Sequence, residues 1–431
     1  MHGEELMRTK NKPTALMIAT IALLGIVIYA GNVMTIDTSK ITDIICLASF
    51  TLMPISGIVC AICFLIPLHS GITGLYIYGY AVLMILLKSK KFKLKVFIPL
   101  LVIVVYEMIM MVFAGVSQIN YIIVYALTVF LLLYMMNTDE VDAKAASISY
   151  VAGAVALLVC IFTTAIQNYS LEMVLAGVVR IGDYEGIEDI GQVAVVTENA
   201  NAMAYYALVA IFIAFHVMKS MKTLGKIVMA ASMLLLTVIS LFTVSRTFII
   251  VLLVLFLLVC LSGFNFKQKL KFLFVLAIVL GIVIPYLQEQ TQIFDAFLMR
   301  FEEDNIASGS GRTKIFSIYM KYLWNNPVRL MFGTGAVFYQ KVCNLGYSMH
   351  NGTQQILVSY GVLGFLPMLG ILISPIRAFL KKNKFKLTKF LPIFAVAMFA
   401  QSIQFLNPNN LMLPYAIAIL CMKIPDAEDA K

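Results

Sequence analysis

The chain has 431 residues, of which 61% are hydrophobic and 13% are charged, and its mean hydropathy is +0.94. A soluble domain carries about 25% charged residues, so this composition excludes an ordinary soluble protein. The net charge of +10 could suit nucleic acid, but most Lys and Arg residues lie in short loops, which mark the cytoplasmic side of a membrane protein. We therefore expect no nucleic-acid partner. The basic segments are 8–12, 88–95, 217–226, 265–271 and 377–389.

Apolar stretches of roughly 20 residues, the length that spans a bilayer, recur along the chain. We predict an all-α polytopic membrane protein of about 12 to 14 transmembrane helices, forming one integral membrane domain over 1–431. Segment 41–87 holds either three short spans divided at Pro54 and Pro67 or one span with a re-entrant piece. From Lys88 onward the predicted helices cover 95–115, 119–136, 145–166, 199–217, 226–244, 247–264, 271–287, 352–374, 390–405 and 410–423.

Alternating these helices from a cytoplasmic segment 88–95 puts all the later basic loops and the C-terminal tail inside. The same alternation puts three polar elements outside: an acidic loop at 167–198, a short turn at 245–247 and a large loop at 288–351. Basic residues in outer loops depart from the positive-inside rule, which makes them candidates for function. They are Lys40, Arg180, Arg246, Arg300, Arg312, Lys314, Lys321, Arg329 and Lys341.

Two features stand out in and after the acidic loop. Arg180 is its only basic residue, and the surrounding carboxylates could orient this arginine towards a ligand. Asn199 and Asn201 begin the next predicted helix, where an asparagine is a favourable N-cap. The alternative is that Asn201, together with Glu198, faces a sugar acceptor.

Arg246 lies in a very short turn between two apolar helices, near membrane depth. A charge held at this depth is costly and usually functional. The alternative is a side chain that snorkels to lipid phosphates. Because the turn is so short, the functional interpretation is favoured.

Arg312 follows a Ser/Gly-rich turn and begins a predicted helix that ends near Trp324. Ile315, Tyr319 and either Tyr322 or Leu323 are spaced as in a helix that lies on the membrane surface with basic anchors. The positive end of a helix disfavours an arginine. An anion bound at this helix start would remove the conflict.

His350 and Asn351 open the next long apolar segment, where Asn351 and Gln354 resemble a capping pair. A lone histidine at such a position is more often structural than catalytic, and only the nearby outer arginines favour a role for His350. Glu107, in the middle of an apolar run, could serve a proton pathway or packing. The sequence shows no partner for it.

Arginine binds phosphate through two parallel hydrogen bonds and keeps its charge. Several outer arginines therefore indicate a lipid-linked pyrophosphate at the outer leaflet as the ligand. The outer loops hold no DxD-like pair for a metal, and Cys60 and Cys63 form a CxxC without a second pair nearby. We expect neither metal nor cofactor, so guanidinium groups would neutralise the leaving diphosphate.

Three motif groups resemble the O-antigen ligase and Wzy-type polysaccharide polymerase superfamily over roughly residues 199–374. The first two are the asparagines at 199–201 and the Ser245-Arg246 pair after a membrane helix. The third is an ordered series of residues in the large loop and the helix after it. Its members are Gly311, Arg312, Trp324, Asn326, Pro327, Gly333, Gly335, His350, Asn351, Gly361 and Gly364.

The resemblance implies an inverting, metal-independent glycosyltransferase of the GT-C kind, acting on undecaprenyl-pyrophosphate-linked oligosaccharides at the outer face of the cytoplasmic membrane. It implies that Arg246 and Arg312 bind the diphosphate and that His350 positions or activates a reacting group. The expected partners are this lipid-linked substrate, membrane lipids, a flippase and a chain-length regulator. The further expected substrate-binding residues are Arg180, Glu198, Asn201, Lys314 and Asn351.

The function predicted from this pattern is a polymerase that joins repeat units of a capsule or exopolysaccharide. One alternative is a ligase that passes a finished glycan to a lipid or protein acceptor. A second is a transporter or flippase, which would need charges along a path and repeat symmetry. A third is a non-catalytic assembly partner. The polar residues gather on one face, with Glu107 as the main exception, which argues against the transporter.

Overall fold

The protein is described from a computed structural model at residues 15–68, 75–89, 94–175, 179–182, 196, 198–263, 267, 270, 285, 311–406 and 411–425. Within these ranges every regular element is helical, and seven helices are long and apolar enough to cross a membrane. Five shorter apolar helices accompany them. The predicted all-α polytopic membrane fold is therefore confirmed. The number of spans stays a prediction, because the run 271–287 lies outside the described residues except for residue 285.

The helices follow one another from the first described residue to the last. The first eight are α1 (Ala15–Met34), α2 (Ser39–Leu52), α3 (Ile55–Leu65), α4 (Leu75–Lys88), α5 (Leu94–Phe113), α6 (Ile119–Asn137), α7 (Ala143–Tyr169) and α8 (Leu171–Leu175). The others are α9 (Ala200–Met218), α10 (Thr223–Leu241), α11 (Arg246–Gly263), α12 (Arg312–Asn325), α13 (Pro327–Phe332), α14 (Tyr339–Cys343), α15 (Gly352–Leu380), α16 (Leu387–Phe399) and α17 (Leu413–Met422).

The uncertain segment 41–87 contains three helices, α2, α3 and α4. Pro54 stands at the N-cap of α3 and Pro67 lies in the short 3-10 turn that follows that helix. Proline removes a backbone donor and disfavours helix in the residue before it. The two prolines therefore divide this segment into three helices, as in the predicted arrangement of three short spans.

Helix α9 lies at the centre of the bundle, with 83% of its most apolar window buried. It packs against α7, α10, α16 and α17. By contrast, α5 and α10 are only 22% buried in the corresponding windows. A helix that is apolar all round and buried on one side only turns its remaining surface to lipid, so α5 and α10 lie at the periphery.

Lysine side chains fasten the helices at the end of the bundle predicted to be cytoplasmic. Lys88 Nζ donates to the carbonyl oxygens of Phe50 and Met53 at 2.8 and 2.6 Å. Lys423 Nζ lies 2.8 Å from the carbonyl oxygen of Thr138. The C-terminal carbonyls of a helix carry partial negative charge, so these contacts are favourable. Each contact joins two segments that the helix alternation places on the same side.

At the opposite end, α5 holds the large polar loop. The buried Glu107 carboxylate accepts the backbone N–H groups of Ala336 at 2.8 Å and Val337 at 3.2 Å. The Tyr106 hydroxyl lies within 2.6 Å of the Phe332 carbonyl oxygen and 2.9 Å of that of Ser359. Glu107 thus has backbone partners that the sequence could not show, and these contacts support the packing interpretation over a proton pathway.

Next to this anchor, the loop crosses α15 at two glycines. Gly333 and Gly361 both have positive φ, of 86° and 62°. A Cβ atom on Gly361 would lie 2.4 Å from the Met331 carbonyl oxygen and 2.6 Å from the Gly333 nitrogen. The N–H groups of Thr334 and Gly335 bond to the carbonyl of Ser359 beside this crossing. Only glycine allows the two backbones to approach so closely.

Gly361→Ala should therefore destabilise the protein by more than about 1 to 2 kcal/mol, the usual penalty of the left-handed conformation for an L-residue. The matched control is Gly370→Ala in the same helix, because a Cβ there meets nothing within 4 Å. Thermal unfolding in detergent should show a lower Tm for the first variant and an equal or higher Tm for the second. Equal Tm values for Gly361→Ala and the unaltered protein would contradict the crossing.

Candidate functional site

A first group of predicted site residues comes together at the starts of α9 and α11. The Ser245 hydroxyl donates to Asn201 Oδ1 at 3.1 Å. Arg180 Nε donates to the Thr243 carbonyl oxygen at 2.7 Å. Arg246 is the first residue of α11, directly after Ser245. Three segments far apart in sequence thus place Arg180, Asn201 and Arg246 around one turn.

The turn before Arg246 has an unusual backbone. Val244 has φ of 47°, and a β-branched residue in the left-handed region is a genuine outlier. The conformation is supported by hydrogen bonds from Val244 N to the Leu241 carbonyl at 3.0 Å and from Ile181 N to the Phe242 carbonyl at 3.0 Å. Strain held in place by its surroundings is common at functional sites, and nothing in the sequence indicated it.

The two asparagine side chains at the start of α9 form different hydrogen bonds. Asn199 Oδ1 accepts the Asn201 N–H at 2.9 Å, which is the predicted N-cap. Glu198 Oε1 accepts the Asn199 N–H at 3.0 Å. The Asn201 side chain points instead to Ser245. Asn201 and Glu198 therefore lie beside the arginine-bearing turn, where the sequence analysis expected substrate-binding residues.

A second group forms where α12 and α15 begin. Arg312 is the first residue of α12, after Gly311, whose φ is 76°. Partial removal from water and the positive charge of Arg312 lower the pKa of His350 below its ordinary value of 6.5. His350 is exposed at the surface of this loop, and the direction of the shift favours its neutral imidazole form.

Two tyrosines hold the backbone directly before His350. The Tyr319 hydroxyl donates to the Tyr347 carbonyl oxygen at 2.6 Å, and the Tyr339 hydroxyl accepts the Met349 N–H at 3.2 Å. Their ring centroids are 5.9 Å apart. Both hydroxyls thus position the segment that carries His350 relative to α12. Sequence reasoning missed Tyr339, because a tyrosine in a polar loop gives no signal of its partner.

The prediction that the apolar side of α12 faces the membrane was wrong. Tyr319 and Leu323 are completely buried, and Ile315 is partly buried against them. They belong to a small second core inside the protein, not to a surface on the bilayer. Helical periodicity identifies the apolar face but not what covers it. The other buried members of this core are Tyr339, Cys343, Met349 and Val358.

The remaining two predicted binding residues flank the second group. Lys314 is exposed in the first turn of α12. Asn351 Oδ1 accepts the Gln354 N–H at 2.9 Å, so Asn351 is the N-cap of α15. The Gln354 side-chain amide nitrogen donates to the Phe316 carbonyl oxygen at 2.8 Å. That bond joins α15 to α12.

The two groups lie at the same end of the bundle. Near the start of α9, the Tyr205 hydroxyl donates to the Leu411 carbonyl oxygen at 3.0 Å, and its ring lies 5.4 Å from that of Phe399. At the start of α15, a Cβ on Gly352 would lie 2.9 Å from the Ala400 carbonyl oxygen. Phe399 and Ala400 are adjacent at the C-terminal end of α16. The N-terminal parts of α9 and α15 therefore both meet the end of α16.

The arrangement suits an anion better than a metal ion. Arg246 and Arg312 each stand at the first position of a helix, where backbone N–H groups already present positive charge. No cluster of His, Cys, Asp and Glu that could hold a metal ion occurs in the part of the chain that the structure describes. Burial raises the pKa of Cys343 to about 11, so this thiol stays protonated at neutral pH.

A family model described as O-antigen ligase matches residues 230–369. The match confirms the resemblance to the O-antigen ligase and Wzy-type superfamily, and it includes Arg246, Arg312, His350 and Asn351. It supports a ligase-like or polymerase-like glycosyltransferase role in surface polysaccharide synthesis by an integral membrane protein. A search of curated proteins found no match to the chain.

The proximity of Arg312 and His350 can be measured without an activity assay. Diethyl pyrocarbonate modifies neutral imidazole, so the pH at which His350 becomes half-modified reports its pKa. We expect this pH to lie below 6.5 in the unaltered protein and to rise in Arg312→Gln, because a nearby positive charge is removed. Peptide mass spectrometry distinguishes His350 from the three other histidines of the chain.

The matched control is Lys314→Gln, which removes one positive charge from the same helical turn. It should shift the His350 midpoint less than Arg312→Gln does. Identical midpoints in all three proteins would show that Arg312 and His350 do not interact.

Proposed function

We propose that the protein is an inverting, metal-independent glycosyltransferase that joins undecaprenyl-pyrophosphate-linked repeat units of a capsule or exopolysaccharide at the outer face of the cytoplasmic membrane. The observation that carries this proposal is the placement of Arg246 and Arg312 at two helix starts at one end of the bundle. His350 directly precedes the N-cap of α15, and the positive charge of Arg312 lowers its pKa. This end of the bundle would bind a diphosphate on its polyprenol carrier.

A negatively charged diphosphate would interact favourably with these positively charged helix starts. An anion at a helix start that carries an arginine would interact with both the guanidinium group and the backbone N–H groups. Arginine can hold phosphate oxygens through two parallel hydrogen bonds. Arg246 and Arg312 would bind the diphosphate of the donor, with Arg180 held beside Arg246 by its bond to Thr243.

The reaction would proceed by one displacement at the anomeric carbon of the donor. A hydroxyl at the non-reducing end of a second lipid-linked unit attacks, the new glycosidic bond forms, and undecaprenyl pyrophosphate leaves from the opposite face. The arginines stabilise the charge that develops on the departing phosphate. The hydroxyl proton passes to a base, and a neutral His350 would offer a ring nitrogen that can accept it.

The acceptor would be bound by polar side chains around the same end. Asn201 and Glu198 lie beside the turn that bears Arg246. Lys314 is exposed near Arg312. Because Asn351 Oδ1 caps α15, Asn351 would use its amide N–H groups for the ligand. Sugar hydroxyls can both donate to and accept from such groups.

A ligase is the second candidate function, and the description of the matched family favours it. In this case the donor chemistry is the same, but a finished glycan passes to a lipid or protein acceptor. A transporter is less well supported, because the two arginine groups lie at one end of the bundle and Glu107 is bonded to the loop. A flippase and a chain-length regulator remain proposed partners of the polymerase.

Reconstitution with a defined lipid-pyrophosphate oligosaccharide tests the proposal. A ladder of lipid-linked products of increasing length supports the polymerase. Transfer to an added lipid acceptor without a ladder supports the ligase. Movement of the substrate across the vesicle membrane with no new glycosidic bond would overturn the enzymatic function.

Replacing the site arginines by lysine tests whether bidentate phosphate binding matters. Arg246→Lys and Arg312→Lys keep the charge but lose the planar fork. We expect each to lower the turnover rate by about 100-fold to 1000-fold, the usual effect of losing one transition-state donor. Arg377→Lys, in the last turn of α15, is the control and should keep its rate. Full activity of both site variants would favour snorkelling arginines.

The proposed orientation of the membrane domain can be tested by cysteine labelling of intact cells. All seven native cysteines are buried, so they should give little background. Gly346→Cys, at an exposed position where a Cβ has open space, should react with a membrane-impermeant maleimide from outside. Lys384→Cys, exposed in the basic loop after α15, should react only after the cells are opened. The reverse pattern would invert the topology.

A further inference from the structure

Four apolar side chains around the junction of α12 and α13 are exposed although they belong to the polar loop. They are Trp324 (75% exposed), Val328 (68%), Met331 (40%) and Phe332 (56%). We call this surface the apolar edge. It is distinct from the buried face of α12, where Tyr319 and Leu323 pack inside the protein. Exposed apolar side chains that are grouped in this way are typical of a surface that contacts protein or membrane.

The apolar edge continues the lipid-facing surface of α5. The Phe332 carbonyl oxygen accepts the Tyr106 hydroxyl at 2.6 Å. The Arg329 guanidinium lies 5.2 Å from the centroid of the Phe113 ring at the end of α5. Phe113 and its neighbour Val112 are 65% and 75% exposed. The short helix α13 is therefore fixed at the end of a membrane-spanning helix.

The exposed side chains of α5 form a stripe along its whole length. Spacings of three and four residues place them on one side of the helix, and only 22% of the helix window is buried. Such a stripe on a span of this composition faces acyl chains. Its members are Leu94, Ile98, Leu101, Val102, Val105, Met108, Ile109, Val112 and Phe113.

We propose that the apolar edge is embedded in the phospholipid surface at the boundary between headgroups and acyl chains. Tryptophan favours this boundary because its ring is apolar and its N–H is polar. Arg329 and the exposed Lys321 lie next to the edge and suit lipid phosphates. The embedding of the apolar edge rests on the membrane fold alone, whereas its consequence for Arg312 rests on the proposed function.

The apolar edge would influence the depth of Arg312 relative to the membrane surface. One side of α12 packs through Tyr319 and Leu323 on the core that positions His350, while Trp324 at its end lies in the membrane surface. Trp324 and Arg312 lie near opposite ends of α12, which has 14 residues, so embedding Trp324 would limit the depths that Arg312 can reach. A lipid-linked diphosphate lies at headgroup level, so this geometry would hold its binding group at the matching depth.

Trp324 is the only tryptophan in the chain, so the unaltered protein carries its own probe. In proteoliposomes we expect blue-shifted emission. We also expect quenching by brominated lipids, stronger when the bromines lie near the headgroup end of the acyl chain than near its tail. Iodide in the water should quench the emission less than it quenches free tryptophan. No activity is measured, so a failure here is separate from a failure of the proposed reaction.

The matched control moves the single tryptophan within the same loop. In the double variant Trp324→Phe, Tyr347→Trp the probe occupies a position that is 54% exposed and close to His350. Its emission should lie at longer wavelength, with quenching by iodide and little quenching by brominated lipids. The two proteins thus compare two aromatic positions of one loop in the same vesicles.

Two outcomes would overturn the proposal. If iodide quenches Trp324 as fully as it quenches free tryptophan and brominated lipids have no effect, the edge lies in water. If the emission is blue-shifted but neither quencher acts, the edge is covered by protein, such as a second copy of the chain.

Discussion

Two arginines at the positive ends of helices are the constraint on which the site depends. Arg246 and Arg312 each begin a helix whose first N–H groups already attract negative charge. An anion at such a helix start would interact with the guanidinium group and with the backbone N–H groups together. In the proposed reaction this positive charge would also stabilise the charge that develops on a leaving phosphate.

The rest of the described structure holds these helix starts in place. Glu107 and Tyr106 bind the backbone of the polar loop from α5, and Tyr319 and Tyr339 hold the segment before His350. Backbone hydrogen bonds hold the turn before Arg246, in which Val244 has a positive φ. Buried hydrogen bonds to backbone groups are costly to leave unmade. The loop is therefore fixed to the bundle at several points.

Periodicity predicted which side of α12 is apolar but not what that side meets. Tyr319 and Leu323 were expected on the bilayer, whereas they pack into a second core and leave Trp324 exposed. The spacing of apolar residues describes one helix alone, and lipid and protein interior are equally apolar partners for it. Glu107 is a similar case, since its partners are backbone N–H groups more than two hundred residues away. No local pattern records such a contact.

The sequence by itself determined the membrane class, most helix positions, the family resemblance and the helix starts that carry Arg246, Arg312, His350 and Asn351. These features depend on local composition and spacing, which hydropathy and capping chemistry express directly. Only the tertiary structure decided that Arg180 reaches the turn before Arg246. It also decided that the N-terminal parts of α9 and α15 both meet the end of α16. The physical reason is that these contacts join distant segments, and their partners are selected by packing of the whole bundle and not by neighbours in the chain.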